Sequence, residues 1–164
     1  MIFRKQLGLK DCFRTVIGCI TDTEPQDVPD FMALEPESEF ISQAVHEDIN
    51  QWLSHRGLDL ISIAYPTGDK PLQTLLDYIA ETQGKDIVYL LTGKSVIEAH
   101  VVICRGNQII WDPSPVNSWI RGPLNGSYFV QYISKSFMRY NGPVPENQNP
   151  FDIGADDNED QISV

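Results

Sequence analysis

The segment HVVICRGNQIIWD, His100 to Asp112, decides how this chain is read. Two apolar runs rich in β-branched residues, HVVICR and QIIWD, flank Gly106-Asn107, which is the pattern of a β-hairpin. With Arg105-Gly106-Asn107 as a three-residue loop, Cys104 stands opposite Gln108, Val102 opposite Ile110 and His100 opposite Asp112. The imidazole and the carboxylate then share a face. A two-residue Gly106-Asn107 turn would put them on opposite faces, so the three-residue register is the one expected. Pro113 holds Asp112 extended and cannot continue the ladder.

Outward from this hairpin, IVYLLT (87–92) and YFVQYI (128–133) are runs of the same kind, and Gly93, Gly106, Pro113, Pro115 and Gly122 punctuate them. Short strands in succession imply an antiparallel sheet. Before Asp86 the period is helical. Asp11 is a favoured N-cap, with Cys12, Phe13, Val16, Ile17 and Ile20 recurring behind it. Thr21 to Phe31, with Pro25 and Pro29, reads as an irregular loop with at most one short helical turn. A second helix is expected from an N-cap at Ser38 to about His55, burying Phe40, Ala44, Ile49, Trp52 and Leu53 and stopping at Gly57. LDLISIAY (58–65) alternates as a strand ended by Pro66 and Gly68. A third helix runs from about Pro71 to Gln83, with Gly84 just past its end and Leu72, Leu75, Leu76 and Ile79 inward. The fold class is α+β, with N-terminal helices packed on a C-terminal antiparallel sheet.

The chain has 164 residues, 41% hydrophobic and 21% charged, which suits one globular domain and contains no apolar run of membrane-spanning length. Three cysteines without a CxxC pair argue against a disulfide framework or a structural zinc site and fit a reducing cytoplasm. The net charge of −11 is unevenly spread. Glu146, Asp152, Asp156, Asp157, Glu159 and Asp160 follow Tyr140 with no Lys or Arg among them, leaving 17 acids against 12 bases before it. Residues 1–140 are therefore expected to form the domain and 141–164 an acidic flexible tail. No basic stripe points to nucleic acid, and no metal or cofactor pattern is present. Gly84-Lys85 and Gly93-Lys94-Ser95 lack the upstream glycine of a phosphate loop and read as turns.

Chemistry enters with QLGLKDC, Gln6 to Cys12. A thiol in the first turn of a helix faces unpaired backbone N–H groups and the positive end of the helix dipole, both of which favour the thiolate. A lone helical cysteine is ordinarily a small core residue, so a base must accompany it. His46 and His55 sit within and beside the second helix and suit exposed or structural roles. His100, paired with Asp112, supplies the base and its orienter. Gln6 could aim its side-chain amide at an oxyanion together with the backbone N–H of Cys12. Cys19, two turns deeper, is expected to be buried packing.

These residues resemble the papain-like cysteine peptidase superfamily, and within it most closely the bacteriocin-processing peptidases that cleave after double-glycine leaders and their stand-alone bacterial and phage relatives. The resemblance rests on Gln6, Asp11 and Cys12 in Q-x-x-x-x-D-C, on His100 opening a strand, and on Asp112-Pro113 after the next strand. It spans roughly Phe3 to Ile133. It implies a papain-like fold and a cysteine hydrolase acting on a peptide or isopeptide bond, without a cofactor, on a peptide or protein substrate. The leader peptidases carry glycine straight after the cysteine, where this chain has Phe13, so the double-glycine preference is not implied. Phe13 and Trp119 are the expected substrate contacts, and Trp111 is expected to pack down its loop. Two alternatives use the same residues: an acyltransferase or amidase on a non-protein substrate, or a silent papain-like binding protein.

Overall fold

The computed structural model describes residues 1–8, 10–34, 42–66, 68, 70–96 and 98–135. Its first element is α1 (Cys12–Thr21), followed by 3₁₀ turns at Pro25–Asp27 and Phe31–Leu34 and by α2 (Gln43–Ser54). Then come β1 (Leu58–Pro66), α3 (Leu72–Gln83), β2 (Val88–Lys94), β3 (Ala99–Arg105), β4 (Gln108–Trp111) and β5 (Ser127–Lys135). The class is α+β, and among the described residues no helix is long and apolar enough to cross a membrane.

The five strands form one sheet in the order β1-β5-β2-β3-β4, every neighbouring pair antiparallel. β5 therefore returns across the sheet to lie between β1 and β2, and nine of its residues pair with β1, from Leu58↔Lys135 to Pro66↔Ser127. Alternation along each strand divides two apolar clusters. Leu60, Leu90, Val101 and Ile103 pack with Val16 and Ile17 of α1 and Ile49 and Leu53 of α2. Tyr89, Leu91, Val102, Cys104 and Val130 pack with Leu75, Leu76 and Ile79 of α3. The helices thus cover both faces, α1 and α2 on one and α3 on the other.

Several local expectations need correction. The second helix begins at Gln43, its N-cap being Ser42, whose hydroxyl accepts from the Val45 N–H at 3.2 Å. The expected cap Ser38, together with Phe40, lies outside the described residues, as does the acidic tail. That later start places Val45 in the core and leaves Ala44 exposed, because 45, 49 and 53 are one turn apart and form the inward stripe. The loop from Thr21 to Phe31 holds the single short turn expected of it, Pro25–Asp27, and a second 3₁₀ turn begins at its end, Phe31–Leu34. Gly93 does not break its strand: β2 runs through it to Lys94. A Cβ there would come within 2.7 Å of the Gly122 carbonyl oxygen and of Ile120, so the glycine is needed for close approach and not for a turn.

The hairpin register also differs from expectation. Arg105 pairs with Gln108, so the turn is the two-residue Gly106-Asn107, with Gly106 at φ 54. Cys104 pairs with Ile109, but Ile103 then pairs with Trp111, and the irregularity between them inserts one extra residue on β4. Such a bulge restores the parity that the shorter turn removes. Carried one step past the end of β4, that register sets Asp112 beside Val102, two residues from His100 and on the same face.

Candidate active site

His100 leads into the second half of the site. Its Nε2 lies 2.8 Å from Asp112 Oδ1, with exposures of only 6% and 2%. The same Oδ1 accepts the Ser114 N–H at 2.8 Å, and Oδ2 accepts the Trp119 N–H at 2.8 Å. A carboxyl group taking three donors is fixed in direction, and as the acceptor it assigns the proton of that bond to Nε2 of His100. Nδ1 is then the nitrogen whose lone pair can accept a proton.

Cys12, at the first position of α1, is half-buried. β4 pairs with β3 only as far as Ile103, and beyond that point the Val101 N–H hydrogen-bonds to the Cys12 thiol. The nucleophile candidate is thereby set against the chain neighbour of His100. Its electrostatics overturn the expected thiolate bias. Burial pushes the thiol up to about 11, and the charge of Glu98 adds to this. The N–H groups of Val101, Phe13 and Cys12 itself pull the other way and are outweighed. Asp11 does occupy the N-cap position but makes no side-chain bond to the helix. Its Oδ2 instead accepts the Gly8 N–H at 3.0 Å, closing the preceding turn.

Gln6 is buried at 8% exposure, and its backbone N–H donates to the Pro113 carbonyl at 2.9 Å, next in chain to Asp112. Gln6, Cys12, His100 and Asp112 are so tied, directly or through a chain neighbour, into one locality. Phe13 does not join them as a substrate contact. It is 6% exposed inside the cluster that seats α1 on the sheet, because it points to the core face of the helix. Cys19 is fully buried as expected and accepts the Arg4 N–H at 3.2 Å.

Trp119 is 40% exposed and stands in a left-handed backbone conformation, φ 51. A bulky residue there costs roughly 1–2 kcal/mol. The Trp119 N–H bond to the buried carboxylate offsets that cost while the indole stays open to solvent. Trp111 is half-buried, stacked on Phe3 at 4.9 Å between ring centroids, and its Nε1 donates to the Arg4 carbonyl at 3.0 Å.

Sequence reasoning missed Lys5, Ser114 and the backbone role of Trp119. Lys5 Nζ donates to the carbonyls of Asp112 and Ser114, both at 2.8 Å, and to Asn117 Oδ1 at 2.9 Å. These partners lie more than a hundred residues away in sequence, and no local pattern marks them. Comparison with protein-family models, curated proteins and solved structures finds no match for the chain.

Proposed function

We propose that this protein is a papain-like cysteine hydrolase that cleaves a peptide or isopeptide bond, working in a reducing cytoplasm. The observation that carries the reading is the buried His100–Asp112 pair at 2.8 Å, one residue along β3 from the backbone N–H that holds the Cys12 thiol. Few structural roles require a histidine and an aspartate to be buried together beside a helix-terminal cysteine.

The chemistry follows from the proton positions. Cys12 rests as a thiol near neutral pH, so His100 Nδ1 takes its proton as the sulfur attacks the carbonyl carbon of the scissile bond. The C=O π pair becomes an oxyanion, which the Cys12 backbone N–H and the Gln6 side-chain amide are suited to receive. Collapse breaks the C–N bond, and the imidazolium gives its proton to the departing amine. Water, deprotonated by the same nitrogen, then attacks the thioester carbonyl, the C–S bond breaks to free the acid, and the imidazolium returns its proton to the departing sulfur. Throughout, Asp112 steadies the imidazolium. Trp119, open to solvent beside Asp112, is the substrate contact.

The test compares peptides released in a bacterial lysate by the wild type and by Cys12→Ala. A set of cleavages that disappears with the thiol supports the reading, and identical peptide profiles refute peptidase activity. The raised pKa of Cys12 favours a second reading, a silent papain-like scaffold that binds without turnover. Iodoacetamide separates the two. In the hydrolase, Cys12 reacts faster in the wild type than in His100→Ala, whereas a silent site shows no such difference.

A further inference from the structure

We propose that Lys5 is a positioning residue for this site, its ammonium pinning the Asp112–Ser114 main chain so that the Asp112 carboxylate holds the His100 ring for proton transfer. The inference rests on the hydrolase reading of Cys12, His100 and Asp112.

An ammonium has three donors and no acceptor, and surface lysines ordinarily leave theirs to water. All three donors of Lys5 have protein acceptors: Asp112 O at 2.8 Å, Ser114 O at 2.8 Å and Asn117 Oδ1 at 2.9 Å. The ammonium also stands 4.6 Å from the centroid of the Trp111 ring. The reason for the clamp lies in where β4 stops. Trp111 is its last residue, so Asp112 lies beyond the ladder that would otherwise fix its backbone. Pro113 adds no donor of its own. The carbonyls on either side of that proline turn to Lys5, and the next residue of the arm, Gln6, takes the Pro113 carbonyl at 2.9 Å.

The third bond reaches the other end of the same loop. Asn117 has φ 51, and two residues on, Trp119 presents its N–H to Asp112 Oδ2. Lys5 therefore ties together the two ends of the loop whose backbone N–H groups, from Ser114 and Trp119, orient the carboxylate. It acts through carbonyl oxygens and not through a bond to the carboxylate, which leaves Asp112 free to pair with His100. Three converging acceptors suit a compact ammonium and not a planar guanidinium.

The experiment uses the full chain labelled with ¹⁵N-histidine. In the wild type the His100 Nε2 proton, buried and bonded to Asp112, gives a protected downfield signal. Lys5→Met is expected to broaden or shift it while the His46 and His55 signals stay. The same variant should slow iodoacetamide labelling of Cys12 at pH 7.5 about tenfold, part of the hundredfold or more that a placed general base supplies. Lys5→Arg should fail to restore either readout. Asn117→Ala, which removes one acceptor in an exposed loop, should show a smaller change in the same direction, and it carries the test if Lys5→Met does not fold. An unchanged His100 signal in the folded variants overturns the proposal and leaves Lys5 as a strap for its loop. If instead wild-type Cys12 labels no faster than in His100→Ala, the hydrolase reading fails, and the imidazole signal still decides whether Lys5 holds His100.

Discussion

The two halves of the site are built differently. At the sheet end, His100 and Asp112 are almost fully buried, the carboxylate has three donors, and the Lys5 clamp secures its main chain. At the helix end, Cys12 is half-buried, Asp11 turns its carboxylate away from the helix, and burial outweighs the N–H groups around the sulfur. Orientation is supplied in advance by one half, while the other holds a thiol that burial keeps protonated. Under the proposed hydrolase reading, activation then belongs to the attack itself, by proton transfer to His100, and a standing thiolate–imidazolium pair is not required.

The largest effect should come from breaking the rigid half. Asp112→Ala leaves the His100 ring and the N–H groups of Ser114 and Trp119 without their acceptor in a buried setting. The expected cost is about 3–5 kcal/mol, read as a lower denaturant midpoint with an unchanged slope. A loss under about 1 kcal/mol would mean that the sheet end is no better secured than the helix end.

Next in size is the pH dependence of the mobile proton. A thiol raised from 9.0 to about 11 on folding keeps its proton in the native state after the unfolded chain has lost it. The native state then binds more protons between these values, so the Cys12 contribution is present below pH 9 and is lost as pH rises towards 11. Over two pH units this amounts to at most about 2.7 kcal/mol, less whatever solvent access to the half-buried thiol removes. Denaturation of the wild type against Cys12→Ala from pH 8 to 11 measures it, since the other raised groups are common to both. Iodoacetamide labelling of Cys12 should likewise climb through pH 9–11. A plateau reached below pH 7 would show a resting thiolate and erase the difference between the halves.

The strand segments from Val88 to Ile133 were legible in sequence because β-branched runs between Gly and Pro leave little choice of element, and His100 with Asp112 was legible as a pair for the same reason. The register that joins them was not. The turn has two residues instead of three, and the bulge at Ile103/Cys104 corrects the parity through an extra residue that no alternation pattern announces. For Phe13 the helical spacing with Val16 and Ile17 points to the core, where the structure has it, and only its place after Cys12 in the resemblance suggests a substrate contact. The thiol's charge state is hidden for a different reason. The helix N-terminus is visible in sequence, whereas the burial that outweighs it is a property of packing. Order along the sheet, with β5 between β1 and β2, is set by long-range pairing and has no local signature.

The smallest effect tests the helix end through its cap. Ser42 caps α2 by accepting the Val45 N–H, and Ser42→Ala should cost about 1 kcal/mol, the usual value of a lost N-cap bond. Asp11 holds the equivalent position on α1 but makes no side-chain cap bond, and among the described residues its carboxylate accepts backward, from the Gly8 N–H. Asp11→Ala should therefore cost only a few tenths of a kcal/mol in helix capping, against that same scale. Its effect should appear in the turn that joins Gln6 to Cys12. Amide hydrogen exchange distinguishes the two: Asp11→Ala should speed exchange at Gly8 and leave the interior of α1 protected, while Ser42→Ala should open the first turn of α2. Equal losses of stability in the two variants would make Asp11 an ordinary cap. The carboxylate before Cys12 would then act on the helix, and the helix end would be as deliberately fixed as the sheet end.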